Sequence, residues 1–172
     1  MAANTAYIGT IWNVYFDGAG KVGTCVSFKI PKLEIKTKEV DCGGMGGPID
    51  VPMGKHEKLE GSFVMLGLNP QMFALLKGKL STRTDVELRQ VVEKAGEEVE
   101  LGHVIIMRAL IKSIDEREVK SGEVVDTAVK FTAITYDETL DGQELYSIDM
   151  ENIKRSVEGR DVLAFARSFL GA

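Results

Sequence analysis

The stretch from Asp41 to Gly54, DCGGMGGPIDVPMG, is rich enough in glycine to suggest a phosphate cradle. Such a loop needs GxxxxGK[ST], with amides curled round the anion, a lysine neutralising it and a hydroxyl on magnesium. Here Gly54-Lys55 is followed by His56, and Ile49 stands where the first glycine belongs. A dinucleotide fingerprint, GxGxxG between a strand and a helix, also fails, because Gly44 and Gly46 are followed at the third position by Ile49 and then by a strand-like run. The segment reads instead as a structural or binding loop. Its glycines are free to take positive φ, and its prolines lack the donor that would recruit it into a sheet.

The remaining chemistry-bearing residues do not assemble into a catalytic pattern. His56 and His103 each stand at the head of an expected strand, yet no order of nucleophile, base and orienting acid accompanies them and the G-x-S-x-G elbow is absent. Asp115, Glu116, Glu118 and Glu123 crowd one hairpin tip, where carboxylates can share a proton or hold a metal. Arg117 and Lys120 interleave with them and no DxDxDG order is present, so the tip reads as a solvated charge run. Trp12, Tyr15 and Phe16 lack the flanking basic residues of a base-stacking platform and are expected in the core. Cys25 and Cys42, the only cysteines, form no CxxC and are expected as free thiols. The expectation is a chain with no catalytic residues, no cofactor and no metal.

Composition narrows the classes further. With 172 residues, 44% hydrophobic and 27% charged, the chain fits one globular domain with a proper core. A net charge of −5 argues against tight binding to DNA or to an anionic membrane, which draws on clustered Lys and Arg. No run approaches the length of a membrane span, and the N-terminus lacks a basic start before an apolar segment, so a cytoplasmic chain without stable membrane association is expected.

The elements that must carry these residues are mostly strands. TIWNVYFDGAGKVGTCVSFKIPKLEIKTKEV reads as strand, turn, strand, with Phe28 and Ile30, then Leu33 and Ile35 past Pro31, on the apolar face. Lys58 to Met65 alternates as a strand, and Asn69-Pro70 starts a short helix carrying Phe73 and Leu76 and ending at Gly78. Val86 to Glu93 and Leu101 to Ile114 form a hairpin, a second joins Ile114 to a strand starting near Val124, and a third turns at Asp141-Gly142. The C-terminal residues 160–170 place Val162, Phe165, Ala166 and Phe169 at helical spacing, which predicts an amphipathic helix packed on the β structure. The expected fold is mainly β, a single-domain antiparallel β-sandwich or barrel over 1–172 with two short α-helices.

The order of several segments adds what no single motif supplies. IWNVYFDGAGKVGTCVSFKIPKLEIKT, GGMGGPIDV, KLEGSFVMLG running into NPQMFALL, YDETLDGQELYSID and IDMENIKRSVEGRDVLAFARSFLG together resemble the major tail tube protein family of contractile-tailed bacteriophages, also found in phage-tail-like bacteriocins. The resemblance implies a non-enzymatic structural virion protein whose hexameric rings stack into the hollow inner tube of a contractile tail, assembled in the host bacterial cytoplasm. It implies as partners further copies of the chain, the sheath protein, a baseplate tube initiator, a tail terminator and a tape-measure protein in the lumen, with DNA passing through unbound. Residues 41–54 become an inter-subunit loop, with Cys42, Gly43, Gly44, Met45, Gly46, Gly47, Pro48 and Ile49 expected to order on docking against a neighbour or the next ring. That ordering costs about 1 to 2 kcal/mol of backbone entropy per residue, so an extensive interface must offset it. The lumen candidates are polar-face residues of the long strands: Lys58, Glu60, Ser62, Arg108, Lys112, Lys130 and Thr132. A tube component of a type VI-like secretion machine and a small soluble β-barrel ligand carrier are the alternative readings.

Overall fold

A computed structural model gives the fold and describes residues 6–20, 24–44, 46–67, 73, 83–95, 98–115, 121–122 and 125–171. Among them are the strands β1 (Tyr7–Phe16), β2 (Ala19–Gly20), β3 (Cys25–Lys29), β4 (Ile35–Val40), β5 (Ile49–His56), β6 (Leu59–Met65), β7 (Thr84–Lys94) and β8 (Glu100–Ile114). They continue with β9 (Thr127–Leu140), β10 (Gln143–Asp149), β11 (Lys154–Val157) and β12 (Arg160–Asp161), and the chain closes on helix α1 (Ala164–Leu170). The helix expected after Asn69-Pro70 lies outside the described residues apart from Phe73, which is helical.

The large antiparallel sheet runs β12-β11-β10-β9-β8-β7-β1-β2, and a second arm, β3 paired to β6, joins it through β9. β9 makes this branching possible. Its first half, Thr127 to Ala133, pairs with β6, and from Thr135 onward it pairs with β10. At the changeover Arg108 faces Thr135 while Ala109 faces Ala133, so Ile134 is an extra residue, a bulge that bends the strand and turns the β6 arm away from β10. The arm folds back until Phe63 of β6 meets Phe16 of β1 with ring centroids 4.8 Å apart, although the two strands are not neighbours in the sheet. The result is an open half-barrel with an apolar interior.

Alternation decides who enters that interior. On β8, Ile105, Met107, Ala109 and Ile111 are buried while Ile106, Arg108, Leu110 and Lys112 are exposed. Phe63, Phe131 and Phe28 complete an aromatic cluster, and Gly61 is glycine because a Cβ there would lie 2.4 Å from the Phe131 ring and 2.9 Å from the Lys29 carbonyl. The meander of three hairpins matches the sequence reading. Asp17-Gly18 and Asp141-Gly142 have positive φ at both positions, 48° and 78° and 49° and 78°, the geometry that two-residue hairpin turns demand.

Three expectations need correction. A third such turn at Glu158-Gly159 pairs Arg160 and Asp161 with Val157 and Ser156, so the C-terminal helix begins at Ala164 and not at 160. Asp161 then accepts the Leu163 amide at 2.9 Å and the Arg167 guanidinium at 2.7 Å, fixing the helix start. That helix buries none of its residues: it is not packed on the sheet, and its apolar side faces outward. The third concerns the glycine loop, whose expected span of 41–54 is cut short because Ile49 to His56 form β5, leaving a tip of 41–48. β-Branched Ile49 and Val51 pair with Val40 and Lys38, and this local hairpin outweighs the breaking tendency of Pro52 and of Gly54 at φ 71°.

Candidate functional site

β4 and β5 form a two-stranded sheet of their own and pair with no strand of the half-barrel among the described residues. Cross-strand pairing puts Val40 and Ile49 on one face, the two-residue period adds Val51, and Met53 follows where the ladder turns irregular between Pro52 and His56. Ile49, Val51 and Met53 are all exposed. An alternating strand pattern normally buries one face; here the described residues offer no element that buries it. At the tip lie Cys42, Gly43, Gly44, Gly46, Gly47 and Pro48, the loop residues singled out by sequence, with Met45 outside the described residues. Gly44 takes φ 93°, which only glycine adopts at no steric cost.

The base of this hairpin is bolted down. Glu57 donates its amide to the Glu34 carbonyl at 2.9 Å, and His56 Nδ1–H donates to the same oxygen at 3.1 Å. This leaves His56 Nε2 as an acceptor for the Tyr146 hydroxyl, 3.0 Å away, with the two rings edge to face. Burial, chiefly, holds the His56 imidazole below its ordinary pKa. The sign of the linkage follows. The unfolded chain takes up a proton as pH falls through about 6.5 and the folded one only at lower pH, so the stabilisation is present above that range and lost on acidification. We therefore expect the melting temperature of the protomer to fall between pH 7.5 and 5.5, and His56→Gln to flatten that decline; an identical decline in the variant would refute the assignment.

The seven polar-face candidates fall together to a large extent. Glu60 faces Thr132 and Ser62 faces Lys130 across β6 and β9, while Arg108 and Lys112 stand on the exposed parity of β8, and exposed Lys58 precedes β6 in the parity of Glu60. Lys112 contacts Glu60 at 2.7 Å, Lys130 contacts Asp115 at 2.8 Å and Arg108 contacts Asp85 at 3.1 Å. The Lys112 hydrogen bond lowers the Glu60 pKa. These pairs are solvent-exposed and contribute little to stability, but they neutralise the face locally. Ile106 and Leu110 stand exposed among them and were not foreseen.

Both histidines are engaged structurally. His103 Nε2 donates to Glu138 at 2.7 Å, the other Glu138 oxygen accepts the Tyr136 hydroxyl at 2.8 Å, and His103 Nδ1 lies 3.4 Å from Gln90 Oε1. The hydrogen bond from His103, more than any other contact, keeps Glu138 below its usual pKa. This network closes the polar end of the interior. Of the acidic tip, Asp115 is tied to Lys130, and Glu116, Glu118 and Glu123 lie outside the described residues. Phe16 is a core residue and Trp12 packs against the core, whereas Tyr15 lies on the opposite side of β1 beneath the Arg89 guanidinium, 4.7 Å from its ring centre.

Two surfaces escaped the sequence reading. Phe165 and Phe169 of α1 stand 83% and 80% exposed, and Tyr7, Ile8 and Ile11 are exposed along β1, whose outer edge is paired, among the described residues, only at Tyr15 and Phe16 by β2. The helical spacing of Phe165 and Phe169 was visible in the sequence; that no described residue covers them was not, and Tyr7, Ile8 and Ile11 were not foreseen.

A sequence profile of the family described as phage tail tube protein FII matches residues 10–171. The tail tube protein of Escherichia phage P2 is 27% identical over 168 residues, 94% of this chain and 95% of that protein. The major tail tube protein of Serratia phage KSP20 is 26% identical over 153 residues, 88% of either chain. In the cryo-EM structure of an extracellular contractile injection system, the PVC sheath-tube complex in its extended state, one chain shares the fold with a TM-score of 0.55 at 11% identity, over 74% of this chain and 87% of that one. The antiparallel half-barrel, its unsatisfied hairpin and a profile match from β1 to the last turn of α1 lead to one assignment: the chain belongs to the phage tail tube protein FII family.

Proposed function

We infer that this tail tube protein closes head to tail into hexameric rings that stack helically into the hollow inner tube of a contractile tail. The detached β4–β5 hairpin carries the reading, because an exposed apolar sheet face on a bolted base suits a contact with the next ring. Heterologous contacts generate rings when their rotation closes, and a second such contact stacks them. The paired charges on the β6–β9–β8 face suit a lumen: with Arg108, Lys112 and Lys130 each held by a carboxylate, few cations are free to displace counterions, so DNA slides through without sticking. The sheath protein, a baseplate initiator, a terminator and a tape-measure protein inside the bore are the partners such a tube requires, and the site of action is the virion tail after assembly in the host cytoplasm. A membrane-puncturing tube in a headless tail-like particle uses the same surfaces, and genome neighbourhood separates the two.

Negative-stain electron microscopy across a concentration series, with light scattering for mass, tests this. Six-fold rings or hollow tubes are the expected result; a monomer that persists even with a baseplate template would overturn the proposal. The cysteines report on the hairpin. Burial pushes the Cys25 thiol up to about 11, leaving little thiolate at neutral pH, while Cys42 is exposed at the tip. A maleimide is expected to modify Cys42 and spare Cys25 in the protomer, and Cys42 should become protected in tubes. Equal labelling of Cys42 in both states, read by peptide mass spectrometry, would show that the tip does not dock.

A further inference from the structure

The half-barrel does not close between β3 and β1, and the open seam is a groove of about 320 Å³ lined by Trp12, Val26, Ser27, Phe28, Ile30, Leu88 and Gln90. Among the described residues no ionisable side chain lines it. Val26 and Ile30 stand exposed at its rim. Elsewhere in the same chain is a ridge with the matching character: Phe165 and Phe169 stack at 6.2 Å, Leu170 extends them, and all three face solvent. Arg167, the one charged residue of α1, is turned back onto Asp161 at 2.7 Å, so the ridge itself is uncharged. Gly171 in the left-handed conformation ends the helix, its amide capping Arg167 and Ser168.

In the strand order, ridge and groove belong to opposite ends of the sheet. α1 follows β12 at one edge of the large sheet, and the groove lies at the opposite end, beside β1 and β7. A ridge on one edge and a groove on the other is the arrangement a head-to-tail ring requires, since the two surfaces differ and each copy presents both. The largely unpaired edge of β1 beside the groove leaves room for the neighbour's edge to approach. We propose that the Phe165–Phe169–Leu170 ridge of one copy seats in the Trp12–Ile30–Leu88 groove of the next copy in the ring, as the aromatic anchor of the lateral contact. Large aromatic side chains entering an apolar pocket dominate interface energies, each removing about 150 to 250 Å² from water. The contact rests on the ring reading above and specifies which surfaces close the ring, independently of the hairpin that stacks one ring on another.

Cross-linking tests it in the full chain. With Cys42→Ser to remove the reactive native thiol, Phe169→Cys and Ile30→Cys are introduced together, and assembled material is treated with a short bismaleimide. A covalent ladder rising to a closed ring is expected, and mixing chains that carry one cysteine each should give dimers and nothing larger. In parallel, Phe165→Ser with Phe169→Ser should keep the parental melting temperature, because neither ring is buried in the protomer, yet weaken ring formation at least tenfold by light scattering. Rings or tubes that form without any Phe169→Cys to Ile30→Cys link, together with unimpaired assembly of the serine variant, would overturn this contact and leave the tube reading intact. A parental chain that stays monomeric with a baseplate template would overturn both.

Discussion

Val51→Asp combined with Met53→Asp is expected to yield a folded protomer that no longer elongates into tubes. Val51 and Met53 are 39% and 51% exposed on a hairpin that pairs with no other strand among the described residues and touches β10 through His56, not through these two side chains, so the substitutions remove no core contact. Val51 faces Lys38 across the pair, and an aspartate there gains an opposite charge. The cost to the protomer is limited to strand propensity, about 1 kcal/mol or less, a shift of no more than about 4 °C in melting temperature. The assembled state fares differently. Each ring-to-ring contact loses apolar burial worth about 25 cal/mol per Å² and acquires carboxylates that must be desolvated, a penalty of several kcal/mol per ion when unpaired. Symmetry multiplies the loss. In a ring of six, even about 1 kcal/mol per subunit becomes about 6 kcal/mol per junction, a roughly 10⁴-fold weaker stack. Electron microscopy and sedimentation read the result, and tubes of parental length from the double variant would remove the hairpin from the stacking interface.

The meander of β7 to β10 was legible because its signals are local: alternation over long strands, polar turn-like inserts between them and Asp141-Gly142 at the last tip specify hairpins without reference to the rest of the chain. The face shared by Glu60, Ser62, Arg108, Lys112, Lys130 and Thr132 was legible for the same reason, since a period of two sorts side chains by side. The extent of the glycine loop was not, because Gly54 and Pro52 break most strands and only pairing with Thr37 and Lys38 rescues this one. The C-terminal helix shows a deeper limit. Phe165 and Phe169 at helical spacing announce a face that must be buried, and the natural expectation is burial on the chain's own sheet. Leu33, Ile35 and Val51 announce the same on the hairpin, yet all stand exposed. Periodicity reports that a surface seeks a partner and is silent on whether the partner belongs to the same molecule, which in a self-assembling subunit is the functional question.

Phe63→Ala should produce the opposite phenotype. The side chain is fully buried where the β6 arm folds onto the sheet, with ring centroids 4.8 Å from Phe16 and 6.1 Å from both Phe28 and Phe131. Truncation leaves a cavity that β3, β6 and β9 cannot close without breaking the pairs Phe28 to Phe63 and Phe63 to Val129. The loss is about 3 to 5 kcal/mol, a large share of the 5 to 15 kcal/mol that holds a typical domain, and it lowers the melting temperature by roughly 6 to 20 °C. Its outer surfaces are untouched, so those molecules that remain folded still carry the hairpin, the groove and the α1 ridge. Assembly binds the folded state and not the unfolded one, so raising the concentration should return part of the lost stability, a rescue unavailable to the Val51→Asp, Met53→Asp chain. Chemical denaturation of the monomer, followed by melting across a concentration series, separates the two behaviours. A loss below about 1 kcal/mol would mean that the arm is not packed on β1, and the seam proposed to receive the neighbouring helix would then lack its floor.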